Sequence, residues 1–419
     1  MDMDWWCKMA KLSLWLPPFS PDYSGASAVL FDLKTVTAMH DASGCTGNFT
    51  GYDEPRWYGS ASGIFCSGLR QIDAVLGDDE KLIRKMIRAA EDIKPDLMAL
   101  VGSPVPMVIG ADLEGIAAEL EARTQIPCFG FDTTGTAYYD KGAFKAAKAL
   151  LDRFAENEET IPGRINILGA LPMDFGNGED IGFLEEFLSG AGYEMGLCLP
   201  WKYGLQDLKH AASAQVNLAI SRFGYSTAVY MEKKFQIPYL CGFPAGKKGA
   251  ERWLSALERV IRTGKSEILR DGLDGTEPCG DPFIKSGNQQ EISEKEQLEI
   301  LIVGEQVMAN SIRAALFLDF GIRNVTVGCI YGREPALSAP QDLDLKDEKE
   351  IRDALNQEKY TMIIADPFLK AVFQKEENRQ FLPFAQYAVS SKLGEAASVC
   401  VTQGRFNQWF EKRSMKCKN

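Results

Sequence analysis

A chain of 419 residues, 45% hydrophobic and 25% charged, has material for more than one core, and its length suggests two or three domains. Its net charge of −12 excludes a nucleic-acid platform, because phosphate backbones are bound by basic surfaces. Both signs of charge run through the whole sequence, which excludes a disordered chain, and no window approaches the roughly 18 consecutive apolar residues of a membrane span.

The start, MDMDWWCKMAKLSLWLPP, has acidic residues where a signal peptide carries positive charge, so the expectation is a soluble, cytoplasmic protein with no membrane partner. Strand-like apolar runs then alternate with helix-periodic stretches. PDLMALVGSP (95–104) reads as a strand into a turn, ADLEGIAAELEART (111–124) as a helix and IPCFGFDT (126–133) as a strand. RINILGALP (164–172) precedes the helical EDIGFLEEFLSGAG (179–192), and QIPYLCGFP (236–244) precedes KGAERWLSALERVIRTG (248–264). A third set has LEILIVGEQ (298–306), a helix over 307–319, NVTVGCIYG (324–332) and YTMIIADPF (360–368). Such alternation implies an α/β protein with parallel sheets covered on both faces.

Two polar, proline-marked seams, AENEETIPGR (155–164) and the Gly/Pro-rich 272–296, divide the chain. The expected organisation is three Rossmann-like α/β domains: 1–160, carrying the candidate ligand region, 161–290 in the middle, and 291–419 at the carboxyl end. Neither GxGxxG after a strand nor GxxxxGK[ST] occurs. LIVGEQVMANS (301–311) has the strand, one glycine and the helix without a phosphate cradle, and reads as a tight strand-to-helix turn.

Ten cysteines are scattered at 7, 45, 66, 128, 198, 241, 279, 329, 400 and 417, with no CxxC pair. Zinc ribbons and thioredoxin-like sites are thereby excluded, and most of the thiols are expected to pack as small hydrophobes. Only two histidines, His40 and His210, exist, too few for a histidine-rich metal site.

HDASGCTGNFTGYDEPRW (40–57) concentrates the chemistry. Gly44 and Gly47 flank Cys45, letting backbone approach a bulky ligand and amides point at negative charge. An iron–sulfur cluster needs that combination; a buried cysteine in a glycine turn is the plainer alternative. Cys66 stands beside Ser67 and Gly68 just before a predicted helix, whose dipole would favour a thiolate. Asp53, Glu54 and Arg56 read as cleft or docking residues with Trp57 and Tyr58 as anchors, or else as a surface turn of local ion pairs. Asp41 is a candidate for tuning a cluster's potential.

GCTGN (44–48), DAVLGDDEKL (73–82) and VPMVIGADLEGI (105–116), in that order, resemble the amino-terminal domain of nitrogenase component 1 proteins. That superfamily contains the molybdenum–iron protein subunits, their cofactor-scaffold relatives and the dark protochlorophyllide and chlorophyllide reductases. The resemblance continues through INILGA (165–170), IPYLCGFPAG (237–246), ILIVGEQVMANSIRAAL (300–316), IIADPF (363–368) and FLPFAQYAVSSKLG (381–394).

The resemblance implies a component-1-like subunit of a two-component reductase. Its electrons would come from an ATP-dependent iron–sulfur partner similar to the nitrogenase iron protein, and its substrate would sit between domains. The family's three cluster cysteines are matched only at Cys45: Ser20 stands in the first region and Pro104 in the third. Cys66 lies near a position where some members carry a hydroxyl residue close to the cluster, and is the candidate replacement. A 4Fe–4S cluster takes about four ligands, so two copies sharing one cluster in a homodimer, or a second component-1-like subunit, would complete it. The large molybdenum-type cofactor of true nitrogenase is held by one cysteine and one histidine. Neither His40 nor His210 lies in a matching segment, and 215–240 holds no cysteine, which argues against that cofactor. A scaffold for metal-cluster or tetrapyrrole assembly, and a binding subunit that has lost its cluster, are the alternatives.

Overall fold

The computed structural model describes residues 13–57, 60, 62–270, 298–374 and 378–414. Three parallel sheets account for the alternating pattern. The first contains β1 (Thr35–Met39), β2 (Gly63–Cys66), β3 (Leu97–Val101) and β4 (Cys128–Phe131), in the order β2-β1-β3-β4. The second contains β5 (Arg164–Leu168), β6 (Glu194–Leu199), β7 (Val216–Ala219), β8 (Tyr239–Cys241) and β9 (Glu267–Ile268), in the order β6-β5-β7-β8-β9. The third contains β10 (Ile300–Gly304), β11 (Val325–Cys329), β12 (Leu343–Asp344), β13 (Met362–Ala365) and β14 (Gln380–Pro383), in the order β12-β11-β10-β13-β14. β1, β3, β10 and β11 are buried at every position, which is why they read as continuous apolar runs rather than alternating ones.

The helices follow from local chemistry. In Asp79–Ile93 the Asp78 carboxylate caps the Lys81 amide, and Leu82, Ile83, Met86 and Ala90 form the single buried stripe. The helix Asp22–Leu30 is buried along its whole length against Tyr139–Phe154. Their backbones touch: a Cβ on Gly25 would run into the Tyr139 carbonyl, and one on Gly142 into the Asp22 carbonyl. At 301–311 the strand-to-helix turn is as expected, with Glu305 capping the amides of Val307 and Met308. Gly304 is required there because a side chain would collide with Gln386.

The core is shared between sheets. One apolar cluster runs from Leu30 and Val101 through Leu168 and Phe223 to Val303 and Ile363, joining all three. After β14 the chain returns to the second sheet: Gly246 donates to the Val401 carbonyl, and the helix Gly404–Ser414 packs near Lys247–Thr263. The seam at 272–296 and the residues Cys7, Tyr58, Cys279 and Cys417 lie outside the described residues. No described helix is long and apolar enough to cross a membrane.

Candidate functional site

The two candidate thiols lie at the carboxyl ends of neighbouring strands, Cys66 at the end of β2 and Cys45 on the segment after β1, where open parallel sheets place their ligands. β1 runs beside β2 with Met39 level with Cys66, and beside β3 with Met39 level with Val101. The segments that leave these strands, carrying Asp41, Cys45, Cys66 and Ser103, therefore emerge side by side.

Asp41 organises them. Its carboxylate accepts the Ser43 amide at 2.9 Å and the Thr46 amide at 3.2 Å, holding the short helix Gly44–Asn48 that carries Cys45. Its carbonyl accepts the Cys66 thiol at 3.4 Å, and the Gly68 amide points at the Cys66 sulfur from 3.3 Å. Ser43 sits at φ 143°, a strained backbone for a residue with a side chain, kept there by the Asp41 bond. Tyr23 and Ser103 lie beside Cys45, and Ser103 is anchored on the His40 carbonyl at 2.9 Å.

Both thiols are partly exposed, whereas Cys198, Cys241 and Cys329 are buried. Burial pushes the Cys45 thiol upward, with the Tyr23 hydroxyl pulling the other way and the Asp41 charge adding to the rise. The Tyr23 phenol is likewise raised by burial first and then by Cys45. This pocket holds Cys45 as a neutral thiol until a cation stands against it.

The helix expected directly after Cys66 starts only at Gln71. The sulfur therefore faces the Gly68 amide rather than a helix terminus, which corrects the expectation of a helix dipole acting on it. Gly44 and Gly47 lie in helical conformation, and a Cβ at either would meet nothing within 4 Å. No described group of three or more His, Cys, Asp or Glu residues is arranged to hold a metal ion. Two thiols are fewer than the four ligands a 4Fe–4S cluster takes, so these residues do not make a complete site within the described chain.

Asp53, Glu54, Arg56 and Trp57 are neither cleft lining nor a surface turn. Asp53 is buried under the Ser20 and Ser24 hydroxyls, at 3.0 and 2.6 Å, and the Asn48 amide at 3.1 Å. Glu54 is fully buried and clamps Arg56, which also reaches Asp32, the Ala28 carbonyl and, at 2.6 Å, the Pro200 carbonyl at the end of the second sheet. Trp57 packs edge-on against Phe31. Ser20 spends its hydroxyl on Asp53 and the Ala388 carbonyl, and Pro104 opens the helix Pro104–Ile109, so neither supplies a ligand. His40 is buried against Ser67 at 3.0 Å, and burial lowers its pKa; His210 pairs with Glu158 at 2.7 Å, far along the chain from the thiols.

A second constellation escaped the sequence reading. Where the three sheets meet, Arg222 lies 2.6 Å from Asp140 and donates to the carbonyls of Tyr331 and Gly332. Glu305 accepts the amides of Arg222 at 2.9 Å, Val307 at 3.1 Å and Met308 at 2.7 Å. Asp174 accepts the Tyr139 hydroxyl. Its members come from five separated stretches, around 139–140, 174, 222, 305 and 331–332, so no local motif marks it; the 301–311 turn that carries Glu305 is the one piece the sequence pattern shows.

Three parallel sheets flanked by helices define an α/β protein. The family model for nitrogenase component 1 type oxidoreductases matches residues 21–375, and the chain belongs to that family. One subunit of the light-independent protochlorophyllide reductase of Picosynechococcus sp. is 24% identical over 304 residues, covering 67% of this chain and 59% of that protein. The same subunit from Nostoc punctiforme is 23% identical over 272 residues, covering 60% and 52%. The chain thus spans a little over half the length of these curated relatives. The solved structure described as nitrogenase Cp1 at pH 6.5 superposes with a TM-score of 0.69 at 14% identity, covering 97% of this chain and 93% of that one. Nitrogenase Cp1 at pH 5 gives 0.66 at 17% identity, covering 96% and 89%. These likenesses establish the fold along the full described length.

Proposed function

We propose that the chain is the component-1-like subunit of a two-component, ATP-dependent reductase, with Cys45 and Cys66 as this chain's ligands to an iron–sulfur cluster shared at a subunit interface. The convergence of two partly exposed thiols on Asp41, at an incomplete and outward-facing donor set, carries this reading. A cluster bound there would supply one-electron transfer toward a substrate held between the domains. Asp41 fixes the two thiol-bearing segments relative to each other, and the Gly68 amide aims a donor at the Cys66 sulfur, as cluster sulfur requires.

The rim supports an interface. Phe65, Ile72, Val75, Leu76, Met107 and Val108, on β2 and on the two helices that follow β2 and β3, are exposed large hydrophobics around the thiols. Large hydrophobics exposed in number on neighbouring elements support contact with another chain. A second copy, or a homologous subunit, brings the remaining thiolates. The protochlorophyllide reductase subunits that resemble this chain make a reductase of an organic substrate the leading case over a cluster scaffold. Mixing anaerobic protein with an ATP-driven iron–sulfur reductase and following cluster bleaching tests the reading. ATP-dependent reduction of a visible-region chromophore is expected, and a colourless protein contradicts it.

A further inference from the structure

The triple junction contains more acid than its cation can neutralise. Facing Asp174 are Tyr139 and Asp140 from one helix, Ser221 and Arg222 from the second sheet's domain, and Glu305 and Tyr331 from the third. Arg222 is committed to Asp140. The two remaining carboxyls have unlike surroundings. Burial raises the Glu305 carboxyl as well, but three backbone amides donate to it and oppose that rise. Asp174 receives the Tyr139 hydroxyl, while the nearby Ser221 hydroxyl donates to the Gly169 carbonyl at 3.0 Å. The Asp174 Oδ2 is shielded from solvent without a hydrogen-bond partner among the described residues.

Tyr331 supplies an independent pointer. Its side chain is 4% exposed, its ring is packed edge-on by Tyr139 at 5.1 Å, Tyr138 at 5.7 Å and Phe19 at 5.8 Å, and its hydroxyl has no partner among the described residues. Asp174 and Tyr331 line one cavity of about 10 Å³ with Glu305 and Gln386. Asp174, Met308 and Phe384 also line a second cavity of about 40 Å³ that opens beside Asp180, Ser398 and Cys400. About 10–15 Å³ accommodates one water, and Asp174, Glu305, Tyr331 and Gln386 offer it polar partners in an otherwise largely apolar lining. An organic substrate does not fit either space.

We propose that Asp174 holds a proton at the junction of the three sheets and exchanges it with solvent through the hydrated passage that opens beside Asp180 and Cys400. Placing the proton on Asp174 and the charge on Glu305 is the split that unlike environments impose on two neighbouring carboxyls. Burial and the Glu305 charge both push Asp174 upward, in agreement with the geometry. The consequence for catalysis rests on the reductase reading given above. A reduced substrate bond takes up one proton per electron: the Asp174 O–H bond breaks, the proton leaves along water of the passage to the substrate, and solvent protonates the remaining carboxylate by the same passage. Asp174 is a positioning and storage group for that proton.

Infrared difference spectroscopy of the purified full chain tests this without substrate or partner. At neutral pH the wild-type protein should show a protonated-carboxyl C=O band that Asp174→Asn removes, and the band should shift in D2O. Ser398→Phe, an exposed change at the mouth, should leave the band in place and slow its D2O shift severalfold. Tyr331→Phe keeps the packed ring and should shift the band through loss of a hydroxyl from the same cavity. A spectrum in which Asp174→Asn removes no such band overturns the protonation. A band that Asp174→Asn removes but that never shifts in D2O, or shifts at an unchanged rate in Ser398→Phe, overturns the passage. Iron content of these variants reports separately on Cys45 and Cys66, so failure of either proposal is visible without the other.

Discussion

The Arg222 guanidinium lies 2.6 Å from the Asp140 carboxylate, and both side chains are less than a tenth exposed. Because Arg222 also donates to the carbonyls of Tyr331 and Gly332, this one side chain ties together elements from all three sheets. Removing one partner of a buried pair leaves a charge without compensation, at a cost of about 3–5 kcal/mol. Arg222→Met should therefore lower urea stability by about that much, and the double variant Arg222→Met, Asp140→Leu should recover part of the loss. Additive losses in the denaturation curves would show that the pair is not coupled.

Asp53 gives the fold a pH dependence. Burial raises its carboxyl to about 6, with the nearby Glu54 charge adding and the Ser24 and Ser20 hydroxyls opposing. The unfolded chain releases that proton near the ordinary value of 3.8. The folded state thus binds more protons between pH 4 and 6, and its stability falls as pH rises through that window. The shift corresponds to a change on the order of 3 kcal/mol. Asp53→Asn should flatten the pH profile of thermal unfolding across this window; an unchanged slope would place the carboxyl elsewhere in its titration.

The apolar rim predicts association. Val75 and Val108 are 75% and 77% exposed in the single chain. Val75→Glu with Val108→Glu should shift the protein toward monomer in light scattering while leaving its melting transition within about 0.5 kcal/mol, as exposed substitutions do. A wild-type protein already monomeric at high concentration would remove the rim from the account.

Much of the fold was legible because parallel strands buried on both faces appear as plain apolar runs, as ILIVG at 300–304 does. The thiol site was legible in part: Cys45 announces itself between glycines, and Cys66 is brought near by the β1–β2 register. What the pattern hides is where a polar residue points. DEPR at 53–56 looks like a solvated turn, yet its Arg56 finds the Pro200 carbonyl 144 positions away, and burial of the segment follows from that long-range contact. The Arg222–Asp140 pair is separated by 82 positions and carries no local signature at all. Capping and periodicity are short-range signals, so junctions between sheets stay silent until the sheets are packed.

The central claim is that Cys45 and Cys66 contribute this chain's share of an interfacial iron–sulfur cluster. Counting iron per chain after anaerobic purification, in the wild type and in Cys45→Ser, tests it most directly. A four-iron cluster shared by two copies predicts about two irons per chain, lost in Cys45→Ser and diminished in Cys66→Ser. Iron retained in full by Cys45→Ser, or a wild-type chain that carries none, would contradict it.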